Sequence, residues 1–119
     1  MFEIEVYSNF SSAHRLREYK GKCENIHGHN WKVAAALSSD RLDKIGIVLD
    51  FKVVKRALRE VLTRLDHKNL NSLSYFRKIN PTSENIAKFI FGELKRKRLP
   101  VSSVSVWEAD DSKATYREK

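Results

Sequence analysis

Apolar and polar residues alternate from Phe2 to Leu16. Phe2, Ile4, Val6, Phe10 and His14 share one parity, and Glu3, Glu5, Tyr7, Asn9 and Ser11 the other. A period of two marks a strand with one buried face. A loop carrying Gly21 and Cys23 leads to a second alternating run, Ile26 to Ser38, in which His27, His29, Trp31, Val33, Ala35 and Leu37 fall together. The two runs are close enough in sequence to pair antiparallel. Asp50 then offers an N-cap, and Val54, Leu58, Val61 and Leu65 recur at helical spacing between Phe51 and Leu65. Pro81-Thr82-Ser83-Glu84 combines a capping hydroxyl with an acid in the first turn of a second helix, whose buried stripe is Ile86, Ala87, Ile90 and Leu94. Lys95 to Arg98 suit its C-terminal dipole, and Leu99-Pro100 stops it. Val101 to Glu108 alternates again, and Ala114 to Arg117 forms a short last strand. The predicted order is β-β-α-α-β-β, an α+β domain with an antiparallel four-stranded sheet and two helices on one face.

Composition narrows the classes. The 119 residues, 41% hydrophobic and 32% charged, predict a single folded domain over residues 1–119, and four glycines and two prolines leave no linker. One cysteine, Cys23, excludes an intrachain disulfide framework. No apolar run approaches the ~18 residues of a membrane helix. MFEIEVYSNF lacks a basic segment followed by an apolar run, so the expected location is the cytoplasm, with no membrane partner. The net charge of +8 predicts an anionic partner. A basic nucleic-acid-binding domain would account for it, with Trp31, Tyr75, Phe76 and Trp107 as stacking residues. However, no RNP-like, GXXG or zinc-knuckle pattern accompanies them, and the charges fall mainly on helix surfaces, as on a solvated face. A small phosphorylated substrate, without nucleic acid, is the expectation.

Three of the four histidines are in phase. Positions i and i+2 of a strand point the same way, so His27 and His29 project together, and His14 shares the apolar parity of the first strand. If the strands pair, three imidazoles converge, a donor set suited to Zn²⁺ with a fourth position open. The competing reading is a turn at HGH and a satisfied core histidine. Cys23, four residues before His27, is either a small buried hydrophobe or a thiolate base near a metal. Glu24 is a second candidate base, or a solvated loop acid. Asp66-His67 is either a helix-terminal histidine favoured by the dipole or a pair in which the carboxylate fixes the tautomer and the imidazole moves protons. Glu108 continues the parity of Val104 and Val106. A buried carboxylate there needs a cation or the adjacent N–H groups of a ligand such as an aminopyrimidine.

These pieces occur in a familiar order: Phe10-Ser-Ser-Ala-His14, Cys23-Glu-Asn-Ile-His27-Gly-His29, Val48-Leu-Asp-Phe51, Leu65-Asp-His67 with Leu70-Asn71, Pro81-Thr-Ser-Glu-Asn85 and Val106-Trp-Glu108. Together they resemble the 6-pyruvoyltetrahydropterin synthase family, including its relative 6-carboxytetrahydropterin synthase, over nearly the whole chain. The short Cys-x-x-x-His-Gly-His spacing is similar to the 6-carboxy branch, which makes the precursor of 7-deazaguanine nucleosides such as queuosine and archaeosine. The resemblance implies the tunnelling fold, a trimer around a closed barrel or a dimer of trimers, and active sites at subunit interfaces. It implies His14, His27 and His29 as zinc ligands, Cys23 as general base, Asp66 and His67 as its proton-relay pair, and Glu108 as the pterin anchor. It also implies that Thr82 and Ser83 help to line the pterin pocket. The implied reaction converts 7,8-dihydroneopterin triphosphate to 6-carboxy-5,6,7,8-tetrahydropterin with loss of acetaldehyde and triphosphate. The alternatives are the 6-pyruvoyl product and, with Glu24 as base, retro-aldol formation of 6-hydroxymethyl-7,8-dihydropterin.

Overall fold

A computed structural model describes residues 1–22 and 24–118. The predicted order holds: strand β1 (Phe2–His14), β2 (His27–Ser39), helix α1 (Phe51–Thr63), helix α2 (Ser83–Arg96), β3 (Val101–Ala109) and β4 (Ser112–Tyr116). Two 3₁₀ turns, Leu70–Ser72 and Ser74–Phe76, join the helices and were not anticipated by periodicity. The strands lie in the order β1-β2-β3-β4, every pair antiparallel, so β1 and β4 are the sheet edges. Among the described residues no helix is long and apolar enough to cross a membrane.

The alternating residues go where their parity sends them. Val6 and Phe10 of β1, Trp31, Val33, Ala35 and Leu37 of β2, and Val104 and Val106 of β3 are buried together under both helices. From α1 they meet Val54, Ala57, Leu58, Val61 and Leu62, and from α2 Ile86, Ala87, Phe89, Ile90, Phe91 and Leu94. Each fully buried Val, Leu, Ile or Phe among them contributes roughly 1.5–3 kcal/mol of transfer free energy. Trp31 is the largest of them. Its ring stacks on Phe10 at 5.8 Å, and its Nε1–H donates to the Ser12 carbonyl at 3.1 Å, which satisfies the one polar atom the indole buries.

Both helix starts are capped as the sequence predicts. Asp50 Oδ1 accepts the Lys52 N–H at 2.8 Å, and Thr82 Oγ1 accepts the Asn85 N–H at 3.1 Å. The far ends are tighter than the sequence pattern predicts. α1 stops at Thr63 rather than Leu65, because the chain turns through Leu65 and Asp66, whose N–H groups both return to the Leu62 carbonyl. His67 then takes a left-handed backbone, φ +54°. β1 ends at His14 rather than Leu16, where its partner strand begins at His27.

Asp50→Ala removes the cap from the first turn of α1. Urea denaturation is expected to show a loss of about 1 kcal/mol with an unchanged m-value. No loss would mean that water caps this end as well as the carboxylate does.

Candidate metal centre

The register of β1 against β2 places His14 directly opposite His27 and Ser12 opposite His29. The three imidazoles therefore meet at one end of the buried face, edge to face, with ring centroids 4.7 Å (His14–His27), 5.1 Å (His14–His29) and 4.7 Å (His27–His29) apart. Trp31 closes the space beneath them, 4.8 Å from His14 and 5.2 Å from His29. Glu108 arrives from β3. One ligand atom from each of His14, His27, His29 and Glu108 lies within 4.8 Å of the others, a group that can hold a metal ion.

The hydrogen bonds orient the rings for that purpose. His14 Nδ1 donates to the Pro81 carbonyl at 2.8 Å, and His27 Nδ1 donates to the Asn25 carbonyl at 2.9 Å. A carbonyl only accepts, so in each neutral ring the proton sits on Nδ1 and Nε2 presents its lone pair. Nε2 of His14 and of His29 is buried without a hydrogen-bond partner. The carboxylate Oε1 of Glu108 approaches His14 Nε2 at 3.6 Å and His29 Nε2 at 2.9 Å without making an aligned hydrogen bond to either. Unpartnered buried ring nitrogens cost free energy, and a cation would satisfy both at once. Burial pushes the His29 pKa down, Glu108 opposes that, and His14 and His27 reinforce it. His29 is thereby held towards the neutral form a metal ligand needs. Three imidazole nitrogens and one carboxylate oxygen fit a borderline first-row divalent ion.

Asp66 and His67, left open as a pair by the sequence, do meet: His67 Nδ1 is 2.9 Å from Asp66 Oδ2. The other oxygen, Oδ1, accepts the Ser11 N–H at 2.8 Å. These two bonds, Ser11 first and His67 second, hold the Asp66 carboxyl below the usual aspartate range. The turn is stitched to β1 by His67 N–H to the Ser11 carbonyl (2.6 Å) and Ala13 N–H to the Lys68 carbonyl (2.9 Å). Ser12 completes the seam: its Oγ donates to the Leu65 carbonyl and accepts the Lys68 N–H at 3.1 Å. As a result His29 and His67 line one depression of about 530 Å³, together with Ser12, Gly28, Lys68 and Asn69.

The remaining sequence candidates are placed differently. Glu24 Oε1 accepts the Leu16 N–H at 3.0 Å, so its carboxylate pins the loop before β2. Thr82 spends its hydroxyl on the cap of α2, and neither Thr82 nor Ser83 is among the residues lining the depression beside His29. Cys23 lies outside the described residues. Sequence reasoning missed Pro81 and Asn25, which act through main-chain carbonyls and carry no side-chain signal, and Ser12, whose parity with His14 was its only hint.

Comparison with known proteins agrees with this geometry. The family model "6-pyruvoyl tetrahydropterin synthase" matches residues 3–119. A putative 6-carboxy-5,6,7,8-tetrahydropterin synthase of Archaeoglobus fulgidus is 40% identical over 114 residues, 96% of this chain and 94% of the relative. The human 6-pyruvoyl tetrahydrobiopterin synthase is 34% identical over 119 residues, 94% of this chain and 81% of its own. The solved Caenorhabditis elegans 6-pyruvoyl tetrahydropterin synthase superposes with a TM-score of 0.87 at 30% identity, covering 99% of this chain and 96% of that one. The chain belongs to the 6-pyruvoyl tetrahydropterin synthase family, and its fold is that of the solved members.

The Asp66 bonds also set a pH dependence. A carboxyl with a depressed folded pKa stabilises above its unfolded value and loses that contribution as pH falls through the folded one. The wild type is expected to lose urea resistance as pH drops below about 4, and Asp66→Asn to show a flatter acid limb. Parallel limbs would show that the Ser11 bond survives protonation.

Proposed function

We propose that the chain is a zinc-dependent lyase converting 7,8-dihydroneopterin triphosphate and water to 6-carboxy-5,6,7,8-tetrahydropterin, acetaldehyde and triphosphate. The observation that carries this reading is the convergence of His14, His27 and His29, two with unpartnered buried ring nitrogens, beside the Asp66–His67 pair. The names of the relatives support the 6-carboxy product: the A. fulgidus protein at 40%, and a Haemophilus influenzae 6-carboxy-5,6,7,8-tetrahydropterin synthase at 33% over 99% of this chain. The 6-pyruvoyl product is the second reading, favoured by the human relative.

In this reading the three histidines hold the zinc, which supplies Lewis acidity toward the substrate's side-chain oxygens. Glu108 is assigned as the pterin anchor, its two oxygens accepting the adjacent N–H groups of the pyrimidine edge. Cys23, as thiolate, takes the proton from the carbon bearing the first hydroxyl. Asp66 holds the proton of His67 on Nδ1, which leaves Nε2 to exchange a proton with the second oxygen. Lys68 lines the same depression as His29 and His67. Arg15 lines an adjoining one that shares Asn69, so both stand where a triphosphate would extend. Arg17 is less free, since its guanidinium already donates to the Ile79 and Asn71 carbonyls. Pairing of the open β1 and β4 edges between copies would close the sheet into a ring and cover strands that are otherwise exposed. The lone cysteine suits a reducing cytoplasm.

The deciding experiment loads the protein with zinc, incubates it with dihydroneopterin triphosphate and identifies the pterin by mass. About one zinc per chain and a 6-carboxytetrahydropterin mass are expected. A chain that binds no zinc, or that yields a 6-pyruvoyl or 6-hydroxymethyl product, overturns the corresponding part. Cys23→Ala should lower turnover at least ~100-fold while keeping zinc and pterin binding; wild-type turnover would place the base elsewhere.

Glu108→Ala should weaken pterin binding at least ~10-fold, the loss of a charge-assisted bidentate contact, with the fold retained. Unchanged affinity together with loss of zinc would instead make Glu108 a metal ligand.

A further inference from the structure

The excess positive charge is not distributed around the histidines. Residues 51–64 and 83–98, the helical layer, carry ten lysines and arginines against three acids, a net of +7 of the chain's +8. Within that layer Lys95 pairs with Glu118 at 2.7 Å, Lys97 with Glu60 at 2.5 Å and Arg96 with Glu93 at 3.4 Å, while Lys88 and Arg98 form no ion pair among the described residues. Arg64 also pairs with Glu93. The outer face of α1 is treated differently. Lys52, Lys55, Arg56 and Arg59 stand at i, i+3, i+4 and i+7, all exposed, and among the described residues none forms an ion pair. Arg56 is one turn before Glu60, but that carboxylate is already bonded to Lys97.

This stripe is held at a local cost. Like charges three and four residues apart repel, and cations near a helix start oppose the macrodipole. α1 has no acid in its first turn and no base in its last, whereas α2 follows the favourable order with Glu84 first and Lys95 and Arg96 last. The stripe starts at the end of α1 away from the histidines and runs to Arg59, seven residues before Asp66. The first turn of α1 packs by Phe2 and Ile4, in the depression lined by Leu49 and Phe51, while His14 ends the same strand about 40 Å away.

We infer that the outer face of α1 is a docking surface for the phosphodiester backbone of a nucleic acid, through Lys52, Lys55, Arg56 and Arg59. The four cations span about 10 Å of helix, over which one duplex strand presents roughly three phosphates. The reading follows from charge and does not depend on the proposed reaction. It favours a polyanion over a bilayer because the apolar stripe of α1, Val54, Ala57, Leu58, Val61 and Leu62, is already buried in the core. Phe51 and Val53 at its start are half-exposed, which makes vesicles a necessary arm of the test.

The test titrates the metal-loaded full chain into labelled RNA and DNA duplexes of about 24 base pairs across a salt series, where log K against log salt should fall with a slope near −3 to −4 for both. Changing Lys52, Lys55, Arg56 and Arg59 together to Gln, which preserves helix propensity, should weaken binding at least ~30-fold near 100 mM salt and flatten the slope by about 3. A control losing four other cations, Arg77, Lys78, Lys113 and Arg117, should stay within ~3-fold. Circular dichroism and zinc content should be unchanged in both variants. Equal losses in the two variants, no saturable binding by the wild type, or binding of phosphatidylserine vesicles without nucleic-acid binding would each overturn the inference.

Discussion

Thirteen residues of β1 pair in unbroken register with thirteen of β2, and everything chemical in the molecule rests on that register. The pairing that sets His14 against His27 also sets Phe10 against Trp31 and Val6 against Ala35. The apolar pairs make the register costly to change, because a slip of one residue would turn every core side chain to the open face. The histidines inherit this stability. They sit on the core parity at the end of the sheet where the hydrophobic pairs run out, so the burial energy of Phe10 and Trp31 is what aligns imidazoles that would gain little by themselves. Trp31 joins the two roles: it is core on one side, the wall of the histidine cluster on the other, and bonded to the strand through Ser12.

The second constraint is the seam between β1 and the turn after α1. A sheet edge leaves N–H and C=O groups unpaired, and here the segment Leu65 to Asn69 takes up those of Ser11 and Ala13. The carboxylate of Asp66 serves both parts, one oxygen on the strand and one on His67. His67 is largely exposed, yet its imidazole is referenced to the same strand that positions His14. Two groups more than fifty residues apart in sequence are thus held to a common backbone, which is the preorganisation that proton transfer beside a metal requires.

Much of this was legible in the sequence because it depends on parity and caps. Period two placed His14, His27 and His29 with Val6, Phe10 and Trp31. Asp50 and Thr82 announced helix starts that are the observed ones. What could not be read depends on main-chain atoms and on contacts between distant segments. Nothing in Pro81 signals that its carbonyl would fix the tautomer of His14, 67 residues away. Periodicity carried α1 through Leu65, since Leu65 is indeed buried, but the turn that ends the helix is set by tertiary bonds to Ser11 and Ser12. Parity correctly turned Glu108 inward, while the choice between a basic partner and a ligand was decided by the β2–β3 pairing, which brings it to the imidazoles instead.

Electrostatics divides the molecule along its 54 Å axis. At the histidine end His29 is kept from charging by burial, Asp66 is fixed by hydrogen bonds, and Glu108 faces unpartnered imidazole nitrogens. That end offers a donor set that can hold a metal ion, with Lys68 and Arg15 as nearby cations. The helical layer keeps nearly all the net charge, and screening over about 8–10 Å at ordinary salt separates the first turn of α1 from the histidines. The overall charge therefore does not describe the candidate active site. The two regions differ in charge, and the helices that supply half of the core also present the cationic face.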